Sequence, residues 1–387
     1  MGARHTAVRS GPVSGRAQLS AGRPLRFGVL GCAGIARRRV LPAMAAARDV
    51  ELVAVASRSA ARAADTAARH GARPVTGYAA LLRDPAVEAV YVPLPAALHA
   101  EWVAAALAAG KHVLAEKPLT CDPAQTRALL AGARRRGLVL RENVMFVHHG
   151  QHAVVRKLIA DGEIGELRAL RAQFGVPALP EDDIRHDPEL GGGALADIGL
   201  YPVRAAVHLL GAGLAVAGAV LSRGAGRRVE TAGAALLRRD DGVTAQLTFG
   251  MDHAYRSCYE VWGSRGRITV DRAFTPPADH RPALVVEGEG GNRTLRLPAE
   301  DQVTAVLTDF ARAVRSGETT AADEAATLAQ ADLLHAIRAT AENGPARTPG
   351  AGQTAAGRAA DGSHQRRLSR YQATVPASPD AKSVRGR

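Results

Sequence analysis

Phe27-Gly28-Val29-Leu30-Gly31-Cys32-Ala33-Gly34-Ile35-Ala36-Arg37-Arg38 reads as a strand, a tight glycine turn and the start of a helix. Leu25 to Leu30 is a short apolar run, the pattern of a buried strand. Helix formers continue from Ile35 to Ala47. A helix N-terminus presents unpaired N–H groups and a partial positive charge. Glycines let that backbone come close to a diphosphate. The spacing here is G-x-x-G-x-A, looser than the usual dinucleotide fingerprint. An ordinary glycine turn has the same look, so the surrounding chain has to decide. Gly31, Cys32, Ala33, Gly34, Ile35, Ala36 and Arg37 are the expected seat of a dinucleotide.

The next apolar run, Leu52 to Ala56, ends where a dinucleotide domain usually places an acid on the ribose 2′-hydroxyl. The chain reads Ala56-Ser57-Arg58-Ser59 instead. A carboxylate there would repel a 2′-phosphate, whereas a hydroxyl and a guanidinium bind it. Ser57 and Arg58 therefore point to NADP(H) over NAD(H).

The alternation continues. Ser59 to His70 and Tyr78 to Leu82 read as helices, Val87 to Val92 as a strand. Ala96 to Ala109 is helical, Lys111 to Ala115 a strand, Pro123 to Arg136 a helix and Leu138 to Arg141 a strand. This is a doubly wound parallel sheet over residues 25–145. Ligands bind such sheets at the carboxyl ends of the strands.

The second half, residues 146–343, has another texture. A helix, Gln151 to Asp161, precedes a strand, Leu167 to Phe174, and a helix lies within Gly193 to Leu210, with Pro202 near its start. Extended segments follow at Ala215–Ser222, Thr231–Arg238, Thr244–Met251, Tyr255–Trp262 and Gly266–Val270. They predict an α+β domain with an open, largely antiparallel sheet, closed by helices near Asp301–Arg315 and Ala321–Ala341. The cofactor is expected between the two domains, with substrate against the second sheet.

Composition narrows the class. The formal charge is +13, but residues 1–24 carry +4 and residues 344–387 carry +6, leaving +3 for the centre. Both tails are basic, aperiodic and rich in small residues, and are expected to be disordered. Their charge is that of solvated tails, so no specific nucleic-acid partner is expected. Three cysteines at wide spacing give no disulfide framework or zinc pattern. No signal peptide or membrane span is visible, and the expectation is a cytoplasmic enzyme.

Two chemical candidates stand at the sheet edge. Lys117, in Glu116-Lys117-Pro118, follows a buried strand and can hold a substrate hydroxyl or lower the pKa of a nearby acid. Asp197 and Tyr201 are four apart on a helix and share a face. A Tyr brought closer to neutral by Lys⁺ is a usable general acid; a core Tyr bonded to a carbonyl is the equal alternative. His148, His149 and His152 lack a carboxylate at ligand spacing, so no metal is expected.

These residues together resemble the Gfo/Idh/MocA oxidoreductase family over about residues 25–340. The most specific stretch is Ala109-Gly110-Lys111-His112-Val113-Leu114-Ala115-Glu116-Lys117-Pro118. The chain is similar to the NADP-dependent NDP-hexose 3-ketoreductase branch through several stretches. They are Tyr91-Val92-Pro93-Leu94-Pro95-Ala96, Glu142-Asn143-Val144-Met145-Phe146, Gly191-Gly192-Gly193-Ala194-Leu195, Gln246-Leu247-Thr248-Phe249-Gly250-Met251 and Phe274-Thr275-Pro276-Pro277. The resemblance implies a Rossmann domain followed by an open sheet, with Lys117 and Tyr201 as the catalytic pair. It implies cofactor contacts at Tyr78, Leu94, His99, Glu116, Arg185 and Asp197, and nucleotide-sugar contacts at Arg38, Tyr255 and Thr275. The implied reaction is NADPH-dependent reduction of the C3 ketone of a dTDP-3-keto-6-deoxyhexose in antibiotic deoxysugar biosynthesis, by a homo-oligomer. Two other readings fit the same residues: a sugar or polyol dehydrogenase on a free substrate, and a non-catalytic dinucleotide-binding regulator.

Overall fold

The computed structural model describes residues 22–289, 291–317 and 321–343. Both expected disordered tails lie outside the described residues, apart from Gly22, Arg23 and Pro24.

The first half alternates as expected: β1 (Leu25–Leu30), α1 (Leu41–Ala46), β2 (Val50–Ser57), α2 (Ala60–Ala68), β3 (Arg73–Thr76), α3 (Tyr78–Leu82), β4 (Ala89–Val92), α4 (His99–Ala108), β5 (His112–Glu116), α5 (Pro123–Arg136) and β6 (Leu140–Asn143). All six strands are parallel, in the order β3-β2-β1-β4-β5-β6. The order reverses between β1 and β4, which opens a crevice at their carboxyl ends. β4 is buried at every position because helices cover both faces of the sheet. The helix after β1 differs from the sequence expectation. Ala36–Val40 is a wide π-type turn and α1 begins only at Leu41. Pro42 lacks an N–H and cannot continue a regular ladder back to Arg38.

The second half contains α6 (Gly150–Ala160), β7 (Leu167–Gly175), α7 (Leu200–Leu210), β8 (Ala215–Ser222), β9 (Ala232–Arg238), β10 (Thr244–Gly250), β11 (Arg256–Gly263), β12 (Gly266–Asp271), β13 (Ala283–Gly288) and β14 (Arg293–Arg296). These eight strands form one open sheet, β14-β13-β12-β11-β7-β10-β9-β8. Only β7 and β10 are parallel neighbours. One face packs on α6 and α7 around Leu170, Val203, Phe249 and Val261. The other face exposes Val220, Leu236 and Trp262.

The closing helices are α8 (Gln302–Ser316) and α9 (Ala321–Asn343). α8 lies within the expected second domain, residues 146–343, and packs on the first sheet. Its buried stripe, Val303, Val306, Leu307 and Phe310, packs into the core of the first sheet, with Phe310 5.6 Å from Phe27. Burying a side chain such as Phe310 stabilises by about 1.5–3 kcal/mol. α9 puts Leu333 and Ile337 into the second core and bonds to β6 through Gln330 and Glu142. Among the described residues no helix is long and apolar enough to cross a membrane.

Candidate active site

The glycine turn after β1 forms one wall of the crevice. Gly31 has φ +118°, a conformation L side chains avoid. A Cβ there would come within 3.0 Å of the Leu94 side chain and 3.9 Å of the Tyr78 hydroxyl. Gly31, Leu94 and Tyr78 therefore meet at one lip. Arg58, exposed at the end of β2, lies close enough to Tyr78 to act on its phenol. Burial is the main reason the Tyr78 phenol is pushed up, against the opposing pull of Arg58. Buried Ser57 accepts a hydrogen bond from the Ser59 N–H at 3.2 Å, leaving its own hydroxyl hydrogen for another acceptor. The donor set is a guanidinium and a hydroxyl beside a glycine cradle, with no carboxylate at the end of β2. That suits a dinucleotide carrying a 2′-phosphate.

Of the other turn residues, Ala36 is buried, and the Cys32 thiol donates to the Arg62 carbonyl at 3.6 Å. The Arg37 N–H closes on the Ala33 carbonyl at 3.1 Å. Arg38 lies across Gly34, where an added Cβ would meet its guanidinium at 2.8 Å. This sets Arg38 at the glycine turn, and no described hydrogen bond or ion pair joins it to Tyr255 or Thr275.

The opposite wall begins at the end of β5. Buried Glu116 accepts from the Tyr91 hydroxyl at 2.6 Å and from Asn143 Nδ2 at 2.8 Å. Its carboxylate is thus held inside the protein. It anchors the turn that carries Lys117. Lys117 Nζ donates to the Asp197 carbonyl at 2.9 Å, forms an ion pair with the Asp197 carboxylate, and lies 5.1 Å from the centroid of the Tyr201 ring. The other Asp197 oxygen accepts from Arg185 Nε at 2.6 Å, and Arg185 also pairs with Asp183 at 3.2 Å.

The geometry of α7 explains this convergence. Leu195–Gly199 forms a wide π-type turn that runs directly into α7, a device common at functional sites. Pro202 falls in the first turn of α7, where a missing N–H costs least. Asp197 and Tyr201, four apart in the chain, both face Lys117.

The electrostatics are only partly as expected. Burial would raise the Asp197 carboxyl, but Lys117 and Arg185 outweigh it and hold it down at about 2. Burial would lower the Lys117 ammonium, but Asp197 and Tyr201 keep it above its ordinary value. The Tyr201 phenol is not brought closer to neutral, as expected from Lys⁺ alone, but raised. Burial raises it further than Lys117 lowers it, and Asp197 and Glu116 add to the rise. The cause is the packing of its ring, 4.8 Å from Phe174, 5.8 Å from Phe274 and 6.0 Å from Phe146. This aromatic surround was not visible as a unit, because its members come from three distant stretches.

Phe274 leads directly to Thr275, whose hydroxyl is 3.2 Å from the Tyr255 hydroxyl. The structure thus brings Tyr255 and Thr275 together on the Tyr201 side. His99, an expected cofactor contact, lies at the same edge. It is fully buried, and its ring nitrogens lie 2.8 Å from the carbonyls of Leu94 and Pro118. It ties the β4 loop to the Lys117 turn. The three nearby histidines are also internal. His152 is buried against the Tyr259 hydroxyl and the Ala273 carbonyl. His149 caps α6, and His148 lies 3.4 Å from Asp309. Among the described residues no group of three or more His, Cys, Asp or Glu could hold a metal.

Comparison with known proteins gives these observations a family. Residues 25–144 match an oxidoreductase family with an NAD-binding Rossmann fold, and residues 152–269 match the GFO/IDH/MocA C-terminal domain. The chain is 54% identical over 295 residues to a dTDP-3,4-didehydro-2,6-dideoxy-alpha-D-glucose 3-reductase of Saccharopolyspora spinosa, covering 76% of this chain and 89% of that one. A crystal structure of KijD10, a 3-ketoreductase from Actinomadura kijaniata in complex with NADP and TDP-benzene, superposes with a TM-score of 0.79 at 51% identity. The match covers 82% of this chain and 98% of KijD10. KijD10 has also been solved with a Tyr changed to Phe and with a Lys changed to Ala. Those two changed residues are as far apart along KijD10 as Lys117 and Tyr201 are here. The chain belongs to the Gfo/Idh/MocA family of oxidoreductases.

Proposed function

We propose that this protein reduces the C3 ketone of a dTDP-3-keto-6-deoxyhexose, such as dTDP-3,4-didehydro-2,6-dideoxy-α-D-glucose, with NADPH. The observation that carries the reading is the Lys117 ammonium poised 5.1 Å from the Tyr201 ring at the edge of a dinucleotide crevice.

The cofactor would be held by the Gly31–Arg37 turn, Leu94 and Tyr78, with Ser57 and Arg58 on its 2′-phosphate. NADPH, when bound, supplies the hydride. The chain's own residues manage the charge that develops on the C3 oxygen. Tyr201 donates its hydroxyl proton to that oxygen. Its raised pKa keeps the phenol fully protonated before reaction. Lys117⁺ stabilises the oxygen and the phenolate left behind. Asp197 and Arg185 position Lys117 and do not touch the reacting atoms. Tyr255 and Thr275 lie where the nucleotide end of the substrate would extend. The runner-up, a dehydrogenase of a free polyol, leaves that surface without a use.

The reading also includes a cytoplasmic location, beside the NADPH pool. It includes a homo-oligomer assembled through the outer face of the second sheet. Trp262, 59% exposed, Val220, 63% exposed, and Leu236 share that face, a costly surface to leave in water.

The test is turnover at saturating NADPH with a dTDP-3-keto sugar. Tyr201→Phe keeps the ring and removes the proton donor, so kcat should fall about 10²–10⁴-fold. Lys117→Ala should be at least as damaging. Because both act on one oxygen, the double variant should lose far less than the product of the two. Wild-type turnover in both single variants would sink the assignment.

A further inference from the structure

Arg272 follows β12 and is the sole non-glycine among the described residues with a positive φ, +51°. Left-handed backbone disfavours a side chain, and such positions persist where the surroundings enforce them, often at ligand sites. A glycine would fit this turn with less strain, yet the position carries a long cation. Its guanidinium lies 4.9 Å from the centroid of the Tyr255 ring. Tyr255 is itself 40% exposed. The neighbouring Arg256 is committed to Asp271 at 3.2 Å. Among the described residues Arg272 has no carboxylate within ion-pair distance and no hydrogen-bond acceptor. The residue is exposed and its guanidinium stacks on an aromatic ring, so its five donors are uncommitted.

A continuous run of contacts links this guanidinium to the reacting centre. Arg272 stacks on Tyr255, Tyr255 meets Thr275 through their hydroxyls, and Phe274 packs on Tyr201. A hexose with its ketone C3 at Tyr201 carries its C1 substituent two ring carbons away, pointing on from the reacting centre. For a nucleotide sugar that substituent is a diphosphate. A planar guanidinium with free donors is the group suited to bind it bidentately. We propose that Arg272 binds the diphosphate of the substrate, its left-handed backbone and the Tyr255 ring orienting it for that contact. The inference rests on the nucleotide-sugar reading above.

The experiment compares wild type with Arg272→Gly and Arg272→Lys. Steady-state kinetics use a dTDP-3-keto sugar at saturating NADPH, and calorimetry measures binding of TDP and of thymidine. Arg272→Gly relieves the backbone strain, so its Tm should equal or exceed that of wild type. Its KM should nevertheless rise about 10- to 100-fold with kcat at saturation little changed, the loss expected of a charge-assisted contact. Affinity for TDP should fall by a similar factor while thymidine binding stays the same. Arg272→Lys keeps a charge without the fork and should lie between. Unchanged KM and TDP affinity in Arg272→Gly would overturn the proposal. Equal losses for TDP and thymidine would overturn it too, because they would mark collapse of the Tyr255 wall. A wild-type protein that neither binds TDP nor turns over any dTDP-3-keto sugar would overturn the nucleotide-sugar reading itself, a result separable from both.

Discussion

Asp197→Asn is the most informative single change, because one negative charge is shared by two cations. In the native protein one carboxylate oxygen meets Lys117 and the other takes the Arg185 Nε–H at 2.6 Å. Despite burial, which acts in the opposite direction, these cations hold the carboxyl at about 2. An unperturbed Asp lies near ~3.9, and each unit is about 1.4 kcal/mol. The charge therefore contributes about 2–3 kcal/mol of stability at neutral pH. The sign follows from the direction of the shift. A depressed carboxyl stabilises fully above its unfolded pKa and loses that contribution as pH falls through the folded value. The wild-type advantage over Asp197→Asn should be constant from neutral pH down to about 5, and should shrink as pH falls from about 4 toward 2.

The substitution also leaves Lys117 buried with only the Asp197 carbonyl, and turns an amide N–H toward one of the cations. Breaking a buried pair by removing one partner costs about 3–5 kcal/mol, so the total lies between these figures. For a folded region of this size that corresponds to a fall in Tm of roughly 3–7 °C. Function should respond separately. Without Asp197 the ammonium loses the partner that keeps its pKa raised, and burial pulls it down. The basic limb of the kcat profile should move to lower pH. Urea unfolding at pH 7 and pH 3, with kcat measured across pH, tests both parts. An Asp197→Asn protein with wild-type stability at pH 7 and an unmoved basic limb would refute this account of the Lys117–Asp197 pair.

Arg58→Ala should raise the KM for NADPH about 10- to 100-fold and leave that for NADH nearly unchanged, the loss of one charge-assisted contact; equal losses in initial-rate kinetics with both cofactors would remove the 2′-phosphate contact. Trp262→Arg puts a charge in the middle of the exposed sheet face and should lower the assembly mass read by light scattering, with Tm and fold spectra measured alongside; an unchanged mass would mean the oligomer forms elsewhere.

What could be read from the chain was whatever had a local cause. β1 and its turn were legible because a strand covered on both faces is apolar at every position but Arg26, and the turn needs glycine at Gly31. β3 was missed because Arg73-Pro74-Val75-Thr76 is a four-residue edge strand with only Val75 and Thr76 to mark it. β13 and β14 were missed for a related reason. They form the far edge of the second sheet, and β14 has no fully buried position to impose alternation. α8 shows a different limit. Its stripe of Val303, Val306, Leu307 and Phe310 announces that one face is buried, but amphipathicity carries no address. The partner proved to be the first sheet.

The site divides along the same line. Residue type and position at the strand ends were enough to single out Ser57, Arg58, Lys117, Asp197 and Tyr201, because the chemistry of each side chain is intrinsic to it. What a side chain does with that chemistry depends on its neighbours. His99 and Glu116 stand at the right edge, yet the carbonyls of Leu94 and Pro118 and the donors of Tyr91 and Asn143 hold them inside. Asp197 lies 80 residues from Lys117 in the chain, and only the fold shows that its charge is taken up by that lysine and Arg185. The same holds for Tyr201. A nearby Lys⁺ alone would bring the phenol toward neutral, but Phe146, Phe174 and Phe274 exclude the water that would stabilise a phenolate. Lys117 thus meets two opposing demands. It must be charged enough to receive a developing alkoxide and near enough to Tyr201 to compensate for burial when the proton leaves. The Asp197 carboxylate serves the first demand, and the wide turn leading into α7 serves the second by setting Asp197 and Tyr201 against the same ammonium.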